Sequence, residues 1–256
     1  FSEYERVAKI ENIPTVFLPS SKESGFFVSV QQLLPHITPG SMLILGNPAS
    51  PAGTFLKKGE LQGLIEACEQ KGAWLIIDEA FIDFVPDSEK ETQVQTSLTK
   101  KHLIIIRSFT KYFAIPGLRL GYMVANEGVT RKVSNFQPPW GVNAVSEFAG
   151  ISILDSGEVN EERGKWLEKE QNYFMDAFTG SSRLRLYPSA VNFFLLELLE
   201  KKTNAPKVHS QLLKKGIIIR DCSNFRGLND QFIRFCVRFR EENRLLVESL
   251  KEVLGE

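Results

Sequence analysis

Three short runs of unbroken apolar residues mark the first half of the chain: Met42 to Leu45, Trp74 to Ile77 and Leu103 to Ile106. Runs of four without a polar interruption predict strands covered on both faces rather than half-exposed ones. Between the first two, Leu61, Leu64, Ile65 and Cys68 fall at i, i+3, i+4 and i+7, the stripe of an amphipathic helix, and Gly72 supplies a stop. Alternation of strand and helix predicts an α/β architecture around a mostly parallel sheet. A further apolar run, Gly121 to Ala125, predicts one more strand.

The second half reads differently. Asn143 to Leu154, Glu161 to Phe178, Lys207 to Lys215 and Glu241 to Leu254 carry helical patterns. Leu184 to Leu186, Asn192 to Leu198, Ile217 to Arg220 and Phe232 to Phe239 read as strands. This predicts a large domain over residues 1–157 and a small α+β domain over residues 158–256. No internal repeat or low-complexity segment interrupts either half.

Composition narrows the function classes. The 256 residues hold 31 Lys and Arg against 31 Asp and Glu, so a broad basic field for nucleic acid is not expected. Three Cys without a C-x-x-C spacing supply neither a disulfide framework nor a zinc cluster, which suits a reducing, cytoplasmic compartment. The longest stretch free of Lys, Arg, Asp and Glu, Ser24 to Leu56, contains four prolines. A membrane-spanning helix needs about 20 mostly apolar residues, so none is expected.

In open parallel sheets, ligands sit beyond the carboxyl ends of the strands. The first run is followed by Gly46-Asn47-Pro48-Ala49-Ser50-Pro51-Ala52-Gly53, the second by Asp78-Glu79-Ala80-Phe81, the third by Arg107-Ser108-Phe109-Thr110-Lys111. A turn-forming loop, a carboxylate and a hydroxyl-plus-lysine set therefore converge on one edge. Singly, Asp78 reads equally as a helix cap and Lys111 as a surface lysine. An apolar run ending in Asp-Glu also fits a P-loop ATPase, but no G-x-x-x-x-G-K-[ST] segment exists here.

Together, Ser108-Phe109-Thr110-Lys111 and Gly117-Leu118-Arg119-Leu120-Gly121-Tyr122 resemble the lysine signature of fold-type I pyridoxal-phosphate enzymes. Asn47-Pro48-x-x-Pro51-x-Gly53 and Asp78-Glu79-Ala80 match two further motifs in family order. The resemblance extends to Arg238-Phe239-Arg240-Glu241-Glu242-Asn243. It is closest to the histidinol-phosphate aminotransferase branch. Within that branch Asp78 to Phe84, Tyr112 to Gly117 and Pro139 to Ala144 look like the threonine-phosphate decarboxylases of cobalamin synthesis.

This resemblance implies roles. Lys111 would bind pyridoxal 5'-phosphate covalently and move protons at the substrate carbon. Asp78 would pair with the pyridinium nitrogen. Ser108, Thr110 and Arg119 would hold the cofactor phosphate, and Phe1 would stack on the ring, its alternative being a core residue. Positions 50 and 81 usually carry Asn and Tyr, which hydrogen-bond the cofactor's phenolic oxygen; here they are Ser50 and Phe81. Arg234 matches the arginine for substrate carboxylate and Arg220 the one for substrate phosphate. Arg220 could instead pair with Asp221. Arg238 and Arg240 read as a solvated basic face. Asn192, in Ala190-Val191-Asn192-Phe193, has no assigned role.

The expected activity is decarboxylation of L-threonine O-3-phosphate to (R)-1-amino-2-propanol phosphate. Histidinol-phosphate aminotransferase is the alternative, and a catalytically silent binding module of the same fold is a third. A homodimer acting on a phosphorylated amino acid or amine is implied. The resemblance also implies that the chain starts inside the large domain.

Overall fold

The computed structural model describes residues 1–156 and 161–255. The domain boundary expected between residues 157 and 158 lies outside the described residues. The chain forms two compact units. Of the described residues, the first comprises Phe1–Leu18, Val28–Ala49 and 55–156, and the second Pro19–Phe27, Ser50–Thr54 and 161–255.

The first unit is built on a four-stranded sheet: β1 (Met42–Gly46), β2 (Trp74–Asp78), β3 (Leu103–Ser108) and β4 (Gly121–Val124), in that spatial order. The first three strands run parallel and β4 runs antiparallel to β3, so the sheet is mixed. Helices α1 (Ser2–Ile10), α2 (Val30–Leu33), α3 (Lys58–Lys71), α4 (Ser88–Glu91), α5 (Val94–Ser97), α6 (Phe109–Tyr112), α7 (Glu127–Ser134) and α8 (Ala144–Ser156) complete it. The stripe Leu61, Leu64, Ile65 and Cys68 of α3 is buried, as its spacing predicts. Gly72 ends α3 at φ 64°, a left-handed value that costs glycine little. β1 departs from expectation. It lies at the edge of the sheet, and Met42 and Ile44 are exposed rather than covered.

The second unit is an antiparallel sheet in the order β5 (Leu184–Leu186), β6 (Phe193–Leu198), β8 (Phe232–Cys236) and β7 (Arg220–Asp221). It is accompanied by α9 (Glu161–Phe178), α10 (Ala205–Leu213) and α11 (Arg240–Leu254). Phe174 of α9 packs on Phe194 and Phe235 from one face of the sheet. Phe26, Ala52, Tyr187, Leu195, Cys222 and Phe232 form a second buried cluster, joined by Phe225 and Leu228.

Two strands are shorter than expected. Residues 217–219 do not extend β7, because Gly216 (φ 77°) and the Ile217 N–H, bonded to Leu212 O, finish the end of α10. β8 stops at Cys236 rather than Phe239. There Asn243 captures the backbone: its Oδ1 accepts from Arg238 N at 2.8 Å and its amide donates to Arg238 O at 2.5 Å. Arg240, though still partly exposed, is not merely a surface charge, since it grips the buried Glu170 with a forked guanidinium.

Candidate active site

Parallel register brings the ends of the first unit's strands level. Gly46 stands opposite Asp78, and Asp78 opposite Ile106. Asn47, just past β1, is buried and staples the following loop by exchanging hydrogen bonds with Leu56: Nδ2 donates to its carbonyl at 2.9 Å, and Oδ1 accepts its N–H at 2.8 Å. Asp78 ends β2 half-buried. Its Oδ1 accepts the Ala80 N–H at 2.9 Å and its Oδ2 accepts the Tyr4 hydroxyl of α1. Burial and the neighbouring Asp78 push the Tyr4 phenol well above its ordinary range.

Beyond β3, the Ser108 and Thr110 hydroxyls are 2.8 Å apart and Ser108 Oγ accepts the Thr110 N–H, so α6 begins with two hydroxyls side by side. Lys111, one residue on, is exposed, with its ammonium 6.0 Å from the Phe81 ring centroid. Arg119 adopts φ 54° and donates to Pro116 O at 2.9 Å, so its own turn holds it. Phe1 is 76% exposed and meets the Tyr4 ring edge-on, which rules out the core alternative.

A buried ionic network underlies these ends. Glu79 is 1% exposed and accepts from the Thr92 hydroxyl and from Gln93 N. Arg107 bridges Glu79, at 3.6 Å, and Asp83. Burial raises both carboxyls, and the Arg107 charge opposes that rise. Sequence reasoning missed this network and Tyr4. The signal for Tyr4 was its i+3 spacing from Phe1 on one helix face.

The second unit holds the two arginines implied for substrate. Arg220 and Arg234 stand directly opposite each other on β7 and β8. Arg234 lies over the Phe193 ring at 4.8 Å and donates from Nη1 to Ser50 Oγ at 2.8 Å. Its Nε is buried without a hydrogen-bond partner, as is Asn192 Oδ1. Ser50 thus meets the arginine implied for substrate carboxylate. Among the described residues Asp221 does not pair with Arg220, and its Oδ1 accepts instead from both the N–H and the hydroxyl of Ser223. Arg220 instead donates to Asn224 Oδ1 at 2.9 Å and lies over Phe225 at 5.4 Å. Among the described residues no helix is long and apolar enough to cross a membrane, and no group of three acidic, His or Cys residues is placed to hold a metal ion.

The donor set of the first unit fits pyridoxal 5'-phosphate. Asp78 is a carboxylate at a strand end, suited to a protonated ring nitrogen. Lys111 is an exposed amine for the aldehyde carbon. Ser108 and Thr110 pair their hydroxyls as a phosphate ligand requires.

Comparison with known proteins agrees. The family model for aminotransferase class I and II matches residues 1–250. A threonine-phosphate decarboxylase from Salmonella typhimurium is 32% identical over 92% of this chain and 64% of its own length. The chain therefore spans less than two thirds of that relative. A histidinol-phosphate aminotransferase structure from Clostridium acetobutylicum superposes with a TM-score of 0.89 at 32% identity, covering 100% of this chain and 75% of its own. A histidinol-phosphate aminotransferase from Sinorhizobium meliloti, solved in complex with pyridoxal-5'-phosphate, shares the fold with a TM-score of 0.84 at 20% identity, over 100% of this chain and 68% of its own. This chain belongs to the class I and II aminotransferase family of pyridoxal-phosphate enzymes.

Proposed function

We propose that this protein decarboxylates L-threonine O-3-phosphate to (R)-1-amino-2-propanol phosphate, a building block of cobalamin. The carrying observation is the opposed pair Arg220 and Arg234. Two permanent cations on neighbouring strands repel each other without an anion between or beside them, and a substrate bearing a phosphate and a carboxylate supplies two. The Salmonella relative named as threonine-phosphate decarboxylase supports this choice of reaction.

Pyridoxal phosphate, when bound, accepts the electron pair left at the substrate α-carbon. This chain's residues do the rest. Asp78 pairs with the ring nitrogen and keeps its proton in place. Ser108 and Thr110, with Arg119, hold the cofactor phosphate. Lys111 delivers a proton to the α-carbon once the carboxylate has left as CO₂. Arg220 takes the substrate phosphate and Arg234 the carboxylate, and this grip selects which α-carbon bond breaks.

A second reading, histidinol-phosphate aminotransferase, is favoured by the Clostridium structure at equal identity. One assay separates them. The protein is incubated with threonine phosphate, then with histidinol phosphate and 2-oxoglutarate. CO₂ from the first is the expected result, and glutamate without CO₂ overturns the decarboxylase. The reading includes a cytoplasmic homodimer. The exposed stripe Val145, Phe148, Ile151 and Leu154 of α8 supports the dimer.

A further inference from the structure

Two neighbouring side chains hold Arg220 in place. Arg220 begins a two-residue strand and is exposed, which would ordinarily leave a long side chain free to sweep many rotamers. Here it is held at two points. Asn224 Oδ1 accepts one of its five N–H donors at 2.9 Å. The Phe225 ring lies under the guanidinium at 5.4 Å. Phe225 is itself anchored: its N–H bonds Cys222 O at 3.0 Å, its carbonyl accepts from Leu228 N at 3.0 Å, and it packs on the buried cluster around Phe26, Tyr187 and Phe232.

The chemistry of the two holders matters. Both are neutral, so Arg220 keeps its full charge and four free donors. The one carboxylate beside it in sequence, Asp221, turns its Oδ1 to the N–H and hydroxyl of Ser223 instead. Among the described residues Arg220 therefore has a fixed place without an ion pair.

We propose that Asn224 and Phe225 are positioning residues that pre-set Arg220 to receive the phosphate group of the substrate and make the protein prefer phosphorylated over unphosphorylated amino acids. This rests on the reading of Arg220 as the phosphate arginine. A carboxylate at position 224 would occupy the guanidinium and compete with the incoming phosphate. An alanine would only release it.

The test compares Asn224→Asp, Asn224→Ala, Phe225→Leu and Arg220→Gln in the full-length holoenzyme. Spectral titration with O-phospho-L-threonine and with L-threonine gives the ratio of the two dissociation constants, and inhibition by inorganic phosphate gives an independent measure. The expected result is a loss of phosphate preference of about tenfold or more for Asn224→Asp, in keeping with the tenfold per 1.4 kcal/mol scale of affinity. A smaller loss is expected for Asn224→Ala and Phe225→Leu. L-threonine binding and the cofactor spectrum should be unchanged in all three. If Arg220→Gln removes the preference while all three leave it intact, the positioning role is overturned and the phosphate arginine stands. Unchanged preference in Arg220→Gln overturns both. Equal losses in Asn224→Asp and Asn224→Ala would overturn the electrostatic argument. Asn224 is exposed, so its variants are expected to fold, with the melting midpoint as the check.

Discussion

Arg220 and Arg234 face each other across the β7–β8 pair, one guanidinium on Phe225 and the other on Phe193. Like charges directly opposed on a sheet destabilise it by a few tenths to about 1 kcal/mol. Arg220→Gln is therefore expected to raise the melting midpoint of the ligand-free protein slightly while abolishing the rise that phosphothreonine produces in the wild type. Melting curves with and without that ligand check it. A variant less stable than wild type in both would show that the pair is not held against repulsion.

Tyr4 and Asp78 lead to a second expectation. Removing a hydrogen bond to a charged group costs about 1.5–3 kcal/mol. Tyr4→Phe should then destabilise the folded protein by about that amount, read by urea unfolding of the ligand-free protein. Because burial and Asp78 raise the phenol, Tyr4 should stay neutral while ordinary tyrosines ionise near pH 10. Ultraviolet titration of wild type and variant should show the same number of tyrosines ionising up to that pH.

Phe81 lies beside Lys111 where the family resemblance expects a tyrosine. Restoring it by Phe81→Tyr would place a donor near the cofactor's phenolic oxygen. The pH midpoint of the bound cofactor's absorbance should fall by about one unit. An unmoved midpoint would count against that placement.

Arg107 is the sole cation seen bridging Glu79 and Asp83 among the described residues. Arg107→Ala leaves two buried carboxyls without it, a loss of about 3–5 kcal/mol. The sign of its pH dependence follows from the raised carboxyls. A carboxyl whose folded pKa is raised contributes less stability as pH climbs through that pKa, and loss of Arg107 raises it further. The deficit of the variant should therefore be greatest near neutral pH and shrink in acid, as urea unfolding across pH would measure.

Much of this was legible beforehand. Unbroken apolar runs gave β2 and β3, although only one face of each is fully buried and the other is half-buried. The helical stripe gave α3. The residues just past each apolar run include Asp78, Ser108 and Lys111, the candidates on which the reading of the site rests. What stayed hidden depends on distant partners. Nothing local in Arg238 to Glu242 says that Asn243 and Glu170 will end β8 and recruit Arg240. Arg107 and Asp83 are 24 positions apart, and Ser50 and Arg234 are 184 apart. Pairings at such separations are set by topology, which a linear pattern does not carry.

The adjacency of Asp78 to Glu79, and of Arg107 to Ser108, makes the cofactor a witness to correct strand alignment. Successive side chains of a strand leave opposite faces, so a slip of one residue would exchange each neighbour for the other. Glu79 would be carried out to the ring nitrogen and Asp78 driven into the interior, away from Tyr4. A misaligned chain could still be compact, yet it would lack both the Tyr4–Asp78 hydrogen bond and the buried Arg107–Glu79 pair. On the roles proposed for Asp78 and Lys111, cofactor binding by the purified protein would thus report the register of its sheet.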